Sequence, residues 1–300
     1  MKMKNRVCPL CDSASMATVF AVEDYKESNF TEFAFASRKF PEYMHYRLNL
    51  CSRCDVIYAS YVPSQEWLIN AYEKAEFDSA EEAYFAARTY ADFMRFIIPR
   101  IPNLQGALDI GTGNGAFLEE LLRLGFTKIQ GIEPSLAPAK AAKDNIRPLI
   151  LEKPFQAADF NSESFSLVTC FQTIEHLPEP LTFVKDIHRI LKKEGAVFFV
   201  FHNHRSVSAK MLGLKSPIFD IEHLQLFSRD SMQLLLHESG FVDVEIRVVY
   251  NKYPLRYWIK LMPMPLTVKK KLLILIDAMG IGRVPIIMPA GNLAGIGFKK

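Results

Sequence analysis

Three groups of residues in this sequence have the types and spacing to do chemistry. The first is the turn Asp109-Ile110-Gly111-Thr112-Gly113-Asn114-Gly115, directly after the apolar pair Ala107-Leu108. Glycines there permit tight backbone angles and let a ligand approach the main chain with no Cβ in the way. A helix starting after them offers its N-terminus to a carboxylate or phosphate. Glu133 follows Gly113 by twenty residues, where an acidic side chain at a strand end can accept both hydroxyls of a ribose. Together these residues describe a site for an adenosine-bearing cofactor. The dinucleotide spacing GxGxxG is not met, since Ala116 follows Gly115, which argues against a nicotinamide oxidoreductase. Asp109 stands ahead of the glycines, placed to hold an amino group.

The second group is Cys8 and Cys11, then Cys51 and Cys54, a CxxC pair, 39 intervening residues and a second CxxC pair. Two intervening residues let both sulfurs of a pair reach one tetrahedral ion, so the pairs read as two knuckles of a structural four-thiolate Zn²⁺ site. Phe30 to Leu50 would supply strands between the knuckles. Two separate redox motifs or disulfides are the alternatives. Cys170 lies in an apolar run and reads as a packed small residue.

The third group pairs histidine with acid: Glu175-His176, and Glu222-His223 within Asp220 to Ser228. Histidine is the side chain whose ordinary pKa suits it to act as a base near neutral pH, and a carboxylate beside an imidazole orients it and raises its basicity. Each pair has a plainer reading. His176 could simply bond Glu175 and shape its loop, and Glu222 with His223 could only stabilise theirs. His202, Asn203 and His204 add polar groups at the end of another strand.

These residues need a framework, and the sequence supplies one. Strand-like runs at Ala107–Gly111, Lys128–Ile132, Pro148–Leu151, Phe165–Phe171, Ala196–Phe201, Val242–Tyr250 and Leu293–Phe298 alternate with helical patterns at Ala116–Leu124, Ser135–Lys143, Leu181–Leu191 and Ser228–Ser239. Such alternation predicts an α/β fold: a doubly wound, Rossmann-like, mostly parallel sheet of seven strands with an antiparallel C-terminal finish, its two end strands following the last helix. The expected organisation is a zinc-binding module over 1–62, a helical linker or lid over 63–102, and a cofactor-binding domain over 103–300 with an insertion at 252–289. The insertion carries Tyr253, Tyr257, Trp258, Leu261 and Met262, then Lys269-Lys270-Lys271 and Leu272 to Ile276. It could form an acceptor lid, a dimer contact or a peripheral membrane contact, or be buried against the core.

Composition narrows the partners. With 49% hydrophobic and 23% charged residues, the 300-residue chain can bury a large core. Its 36 basic and 33 acidic residues leave +3, so no nucleic-acid partner is expected. The N-terminus, Met1 to Arg6, is basic without the apolar run of a secretory signal, which points to a cytoplasmic protein with free thiols. No stretch of eighteen apolar residues occurs, so no spanning helix is expected.

The motifs LDIGTGNG (108–115), GIEPS (131–135) and QTIEHLPEP (172–180) resemble the class I S-adenosylmethionine-dependent methyltransferases. The likeness is close from Gly106 to Phe201 and looser to Lys300. It implies that Asp109, Gly111, Thr112, Gly113, Asn114 and Gly115 hold the methionyl part of S-adenosylmethionine, that Glu133, with Pro134 beside it, holds the ribose, and that Gln172 lies beside the transferred methyl. Ser166 stands where an Asp is usual, a mainly structural position. Glu152 and Phe155 are candidates for the adenine. The double CxxC, the EHL after strand four and EHLQLFS before the last long helix are similar to zinc-containing methyltransferases of sugar and polysaccharide pathways. That likeness implies a small-molecule acceptor, a sugar or nucleotide-sugar precursor methylated on carbon or oxygen, flanked by His176, Glu222 and His223, with a histidine base. Asp220 replaces the tyrosine of the sugar C-methyltransferases, which argues against carbon. Quinone- or lipid-type O-methylation is the alternative, although Gln172 replaces an acid that binds metal in the quinone enzymes. A zinc-containing RNA-binding protein is the alternative outside enzymes.

Overall fold

Runs of Val, Ile, Leu and Phe bounded by turn residues form the central sheet: β1 (Gln105–Ile110), β2 (Thr127–Ile132), β3 (Ile150–Leu151), β4 (Phe165–Phe171), β5 (Leu191–His202), β6 (Val242–Val248) and β7 (Asn292–Phe298). The structure, a computed structural model, describes residues 3–30, 33–36 and 41–300. The strand order is β3-β2-β1-β4-β5-β7-β6, parallel throughout except that β7 runs antiparallel to both β5 and β6. This is the expected α/β fold. Phe198, Phe199, Val200 and Phe201 of β5 are all buried, as a strand covered on both faces requires. The chain order reverses between β1 and β4, so the carboxyl ends of these two strands open the crevice in which doubly wound sheets bind ligands.

The helices that frame this crevice are α1 (Gln65–Glu73), α2 (Ala80–Ala91), α3 (Ala116–Arg123), α4 (Pro180–Ile190), α5 (Arg229–Glu238), α6 (Leu255–Leu261) and α7 (Leu266–Ala278). Buried Phe183, Val184, Ile187 and Ile190 give α4 its apolar stripe at helical spacing. Ser64 caps α1 by accepting the Trp67 N–H, and Ser228 caps α5 in a reciprocal box with Ser231. Tyr90 of α2 and Phe117 of α3 meet Phe171 at ring-centroid distances of 4.6 and 4.7 Å. α2 is thereby packed at the carboxyl end of β4.

Two further elements bear on the site. Ala17–Ala21, Leu48–Cys51, Val56–Ala59 and Gln225–Leu226 form an antiparallel sheet, so the cysteine-bearing segment is stitched to the loop before α5. Of the stretch Phe30 to Leu50, residues 31–32 and 37–40 lie outside the described residues. The second element is the segment between β6 and β7. The sequence pattern puts the last helix before these strands, whereas α6 and α7 both lie between them, above a ribbon formed by Asn251–Pro254 and Pro285–Met288. α6 is a short helix whose Tyr257, Trp258, Ile259 and Lys260 are all buried, and so it shows no polar face for periodicity to detect.

Candidate active site

β1 ends at Ile110 and α3 begins at Ala116, so the chain reverses in one tight turn. Gly111, Gly113 and Gly115 have φ of +75°, +58° and +71°, in the left-handed region that glycine enters freely. A Cβ at Gly111 would stand 2.2 Å from Thr173 Oγ1, and one at Gly115 2.4 Å from Ile146 Cγ2. Gly113 differs, because a Cβ there would meet nothing within 4 Å. It borders a cavity of about 420 Å³.

Asp109, Gly111, Thr112 and Asn114 border the same cavity, as do Glu133, Pro134 and Gln172. Gly115 does not line it and shapes the turn from behind. Asp109 accepts from Thr169 Oγ1 at 2.6 Å and from Thr112 Oγ1 at 2.7 Å. Burial nevertheless raises its carboxyl to about 6, and a cation bound beside it would restore the charge. Glu133 Oε2 accepts from the Gly113 N–H at 2.8 Å and Oε1 from the Ser135 N–H at 2.9 Å. Burial holds it above the usual carboxylate range. Each of its oxygens keeps a second lone pair for a hydroxyl. Asn114 is buried with neither amide atom hydrogen-bonded, a state that costs about 1–3 kcal/mol and that a polar ligand would relieve. An open glycine, a buried carboxylate and an orphaned amide suit the amino-acid end of S-adenosylmethionine. Glu152 and Phe155 do not border the cavity. Phe155 instead packs on Phe160 and Phe183, and Pro134, Ser135 and Pro138 line the wall.

His176, Glu222 and His223 also border the cavity, joined by His202. The His223 ring lies 5.0 Å from that of His176 and 5.1 Å from that of His202, centroid to centroid. His176 sits on a single 3₁₀ turn after β4, and its Nε2 donates to the Gln172 carbonyl at 2.9 Å. Its Nδ1 lies 2.9 Å from the Tyr72 hydroxyl and 3.0 Å from the Glu222 carbonyl. Burial keeps the Tyr72 phenol protonated, so Tyr72 can donate to that nitrogen. Both nitrogens of His176 are engaged within the protein. His223 is arranged differently. Its Nδ1 lies 2.8 Å from the Ile218 carbonyl, which places the proton there and leaves Nε2 as the basic nitrogen. That Nε2 is 3.8 Å from Glu222 Oε1.

Behind these rings, Glu175 accepts from the His202 N–H at 2.7 Å. Burial pushes its carboxyl up to about 8. Its own carbonyl accepts the Leu224 N–H at 2.8 Å, so Glu175 ties β4, β5 and the Glu222 loop together. Gln172 holds a φ of +50°, a conformation costly for a residue with a Cβ and concentrated at functional sites. His204 and Asn203 turn elsewhere: His204 Nε2 donates to the Asp55 carbonyl at 2.9 Å, and Asn203 Oδ1 accepts the Arg205 N–H.

Tyr72 from α1, Asn292 from the start of β7 and Asn251 from the strand that follows β6 border the cavity without any site signal in the sequence. The insertion adds Tyr253, Tyr257 and Trp258 to the same wall. Asn292 Oδ1 lies 2.9 Å from His202 Nδ1. Asn251 is buried with both amide atoms unpartnered. A lone Asn between Tyr250 and Lys252 reads only as a turn former.

The sulfurs of Cys8, Cys11, Cys51 and Cys54 all lie within 4.8 Å of one another. Zn–S bonds of about 2.3 Å would set them about 3.8 Å apart on a tetrahedron, so the donor set fits zinc. Cys170 is buried away from this cluster. Flanking residues connect the cluster to the histidines. The Arg6 guanidinium donates to the carbonyls of Pro178 and Leu224 and to Gln225 Oε1, and Asp55 pairs with Arg205.

Comparison with known proteins gives this fold a family. A family model described as a methyltransferase domain matches residues 82–246, more than half of the chain. The ubiquinone biosynthesis O-methyltransferase of Actinobacillus pleuropneumoniae serotype 5b is 30% identical over 115 residues, covering 35% of this chain and 48% of that protein. The protein of the same name from Neisseria meningitidis serogroup A is 34% identical over 99 residues, covering 31% and 42%. The chain thus spans less than half the length of these relatives. Among solved structures, the YcgJ protein of Bacillus subtilis superposes with a TM-score of 0.51 at 15% identity, covering 71% of this chain and 99% of that one. That likeness is one of fold.

Proposed function

The chain belongs to the methyltransferase-domain family as an S-adenosylmethionine-dependent enzyme, and from that premise we propose that it methylates a hydroxylated small molecule, a sugar or nucleotide-sugar, with His223 as general base. The observation that carries this reading is that the open glycine turn and the His223–Glu222 pair border one cavity. Bound S-adenosylmethionine supplies a methyl group on a sulfonium, open to in-line attack. Asp109, Gly111, Thr112, Gly113 and Asn114 would hold its methionyl end, Glu133 and Pro134 its ribose, and Gln172 would flank the methyl. As the acceptor oxygen takes the methyl group, the methyl–sulfur bond would break to leave S-adenosylhomocysteine, and the acceptor's proton would pass to His223 Nε2. The Glu222 carboxylate stabilises the resulting imidazolium. His176, held by Tyr72 and the Gln172 carbonyl, acts as a positioning residue. Alignment of acceptor and methyl supplies much of the acceleration.

The four cysteines hold a structural zinc ion in this reading, within a module over 1–62, followed by a helical linker over 63–102 and the catalytic domain over 103–300. A second acceptor class, a quinone-type ring, is favoured by the aromatic wall of Tyr253, Tyr257 and Trp258 and by the names of the curated relatives.

The test is release of S-adenosylhomocysteine from S-adenosylmethionine across a panel of free sugars, nucleotide-sugars and hydroquinones. Turnover is expected with one class. On that acceptor, His223→Ala lowers kcat by about 10²–10⁴ and flattens the pH profile, while S-adenosylhomocysteine affinity stays put. An unchanged kcat would remove His223 from the base role.

A further inference from the structure

The segment between β6 and β7 borders the cavity through Tyr257, Trp258, Leu261 and Met262 and turns another set of side chains to solvent. In α7 only Lys269 and Ile276 are buried, while Ile274 is 70% exposed, Leu266 55% and Leu275 54%. Lys269 points inward, its Nζ donating to the Lys260 carbonyl at 2.8 Å. The helix hides a cation and shows aliphatics, the reverse of a water-facing helix. Met279 and Ile287, farther along the segment, are exposed as well. A second short helix, Val207–Leu212, repeats the arrangement: Ser208 and Leu212 border the cavity, whereas Val207 and Met211 are 74% and 80% exposed. Ser208 Oγ donates to the Ala290 carbonyl at 3.2 Å, fastening this helix beside the end of the insertion. Exposed apolar surface of this extent marks an interaction face.

Charge decides what covers it. Residues 252–288 contain Lys252, Arg256, Lys260, Lys269, Lys270, Lys271 and Arg283 against Asp277 alone, and residues 205–217 add Arg205, Lys210 and Lys215 with no acid. Ten basic residues and one acidic give the two segments +9 in a chain of +3, so the remainder carries −6. Arg205, Lys260 and Arg283 face Asp55, Asp78 and Glu81. Lys210, Lys215, Lys252, Lys270 and Lys271 are exposed. A second copy related by a two-fold axis would set like charge against like charge. An anionic lipid surface takes both features, with aliphatic side chains among the acyl chains and lysines among the headgroups. Among the described residues no helix is long and apolar enough to cross a membrane, which leaves attachment to its surface.

We propose that α7 and Val207–Leu212 dock the protein on an anionic membrane. The cavity wall made by the same segments then lies against the bilayer, so the acceptor is one held there, a hydroxylated ring on an apolar chain. That consequence rests on the methyl-transfer reading, whereas the docking does not.

Co-sedimentation of the full chain with phosphatidylcholine vesicles, with and without phosphatidylglycerol, tests the proposal. The protein is expected to pellet with the anionic vesicles and to be released by salt. The double variant Lys270→Glu/Lys271→Glu binds at least about tenfold more weakly, and Ile274→Ser/Leu275→Ser loses binding while melting as the wild type does. Protein left in the supernatant with both vesicle types overturns the docking. So does a dimer in analytical ultracentrifugation that Ile274→Glu abolishes, since the face would then join two copies. Calorimetry with S-adenosylhomocysteine on the same samples separates the two readings: cofactor binding without vesicle binding removes only the docking, and the converse removes only the methyl transfer.

Discussion

The half of the cavity that we assign to the cofactor and the half that we assign to the acceptor are assembled in different ways. Asp109 to Glu133 is one strand, one turn, one helix and the next strand, and its key hydrogen bond, Gly113 N–H to Glu133, closes within that stretch. The acceptor half draws Tyr72 from α1, His176 from behind β4, His202 from the end of β5, Glu222 and His223 from before α5, and Asn251 from beyond β6. Its hydrogen bonds join residues far apart in sequence, such as Tyr72 to His176 and Arg6 to Gln225. The first half is therefore fixed mainly by local backbone geometry, with Thr169 of β4 holding Asp109, and the second by how remote segments pack. Substitutions in one half should leave the other intact.

The largest effect that sharpens this contrast is expected from Glu133→Ala. It removes the acceptor of the Gly113 and Ser135 N–H groups and of the ribose hydroxyls, so S-adenosylhomocysteine affinity falls about a hundredfold by calorimetry. Hydrogen exchange in 218–226 stays unchanged. Cys11→Ser, or metal removal by a chelator, should act on the opposite half. The strand Val56–Ala59 and Arg6 loosen their hold on the Glu222 loop, the melting temperature falls, and exchange in 218–226 accelerates. S-adenosylhomocysteine affinity stays within about threefold of wild type, the range left to indirect effects. Exchange changes that spread evenly over both halves would erase the distinction.

Two titrations are smaller tests. Glu175 has a folded pKa raised to about 8 by burial, so the stability it contributes is present below its ordinary range near 4.5 and is lost as pH rises through about 8. Relative to its effect at acid pH, Glu175→Gln should stabilise the protein by about 1–3 kcal/mol at pH 9, read from denaturant unfolding. Asp109, raised to about 6, must ionise to meet a cationic ligand. S-adenosylhomocysteine affinity should then be level at alkaline pH and fall by up to about tenfold per unit below pH 6, and Asp109→Asn should abolish that dependence.

The same contrast explains what the sequence could tell. The positive-φ glycines, the strand before them and Glu133 were legible because each requirement is local. The paired cysteines were legible because CxxC is a local spacing, and their four sulfurs do gather within 4.8 Å of one another. Ser166 is instructive: where an Asp is usual, its hydroxyl lies 2.8 Å from Asn103 Oδ1 and 2.9 Å from the Gln105 carbonyl, tying the start of β4 to the segment entering β1. His176 and His223 look equivalent as residues after acids. They separate in the partners that surround them, Tyr72 and the Gln172 and Glu222 carbonyls for one and the Ile218 carbonyl with the Glu222 carboxylate for the other. Asn251 and Tyr72 carry no local pattern, since their place in the cavity depends on packing between distant elements. α6 and α7 were hidden for a further reason: neither shows the polar-out pattern of a water-facing helix, the one being largely buried and the other exposing its aliphatics.

Calorimetric titration of S-adenosylhomocysteine into the full chain, beside Gly113→Trp, tests the central claim most directly. Because the space over Gly113 is open cavity, an indole there should fill the cofactor's place without striking a packed neighbour, at the cost of backbone strain at its φ of +58°. The account predicts a dissociation constant in the micromolar range for the wild type and no measurable binding for a variant that still melts cooperatively. Absence of heat with the wild type, or equal affinity in the folded variant, would contradict it.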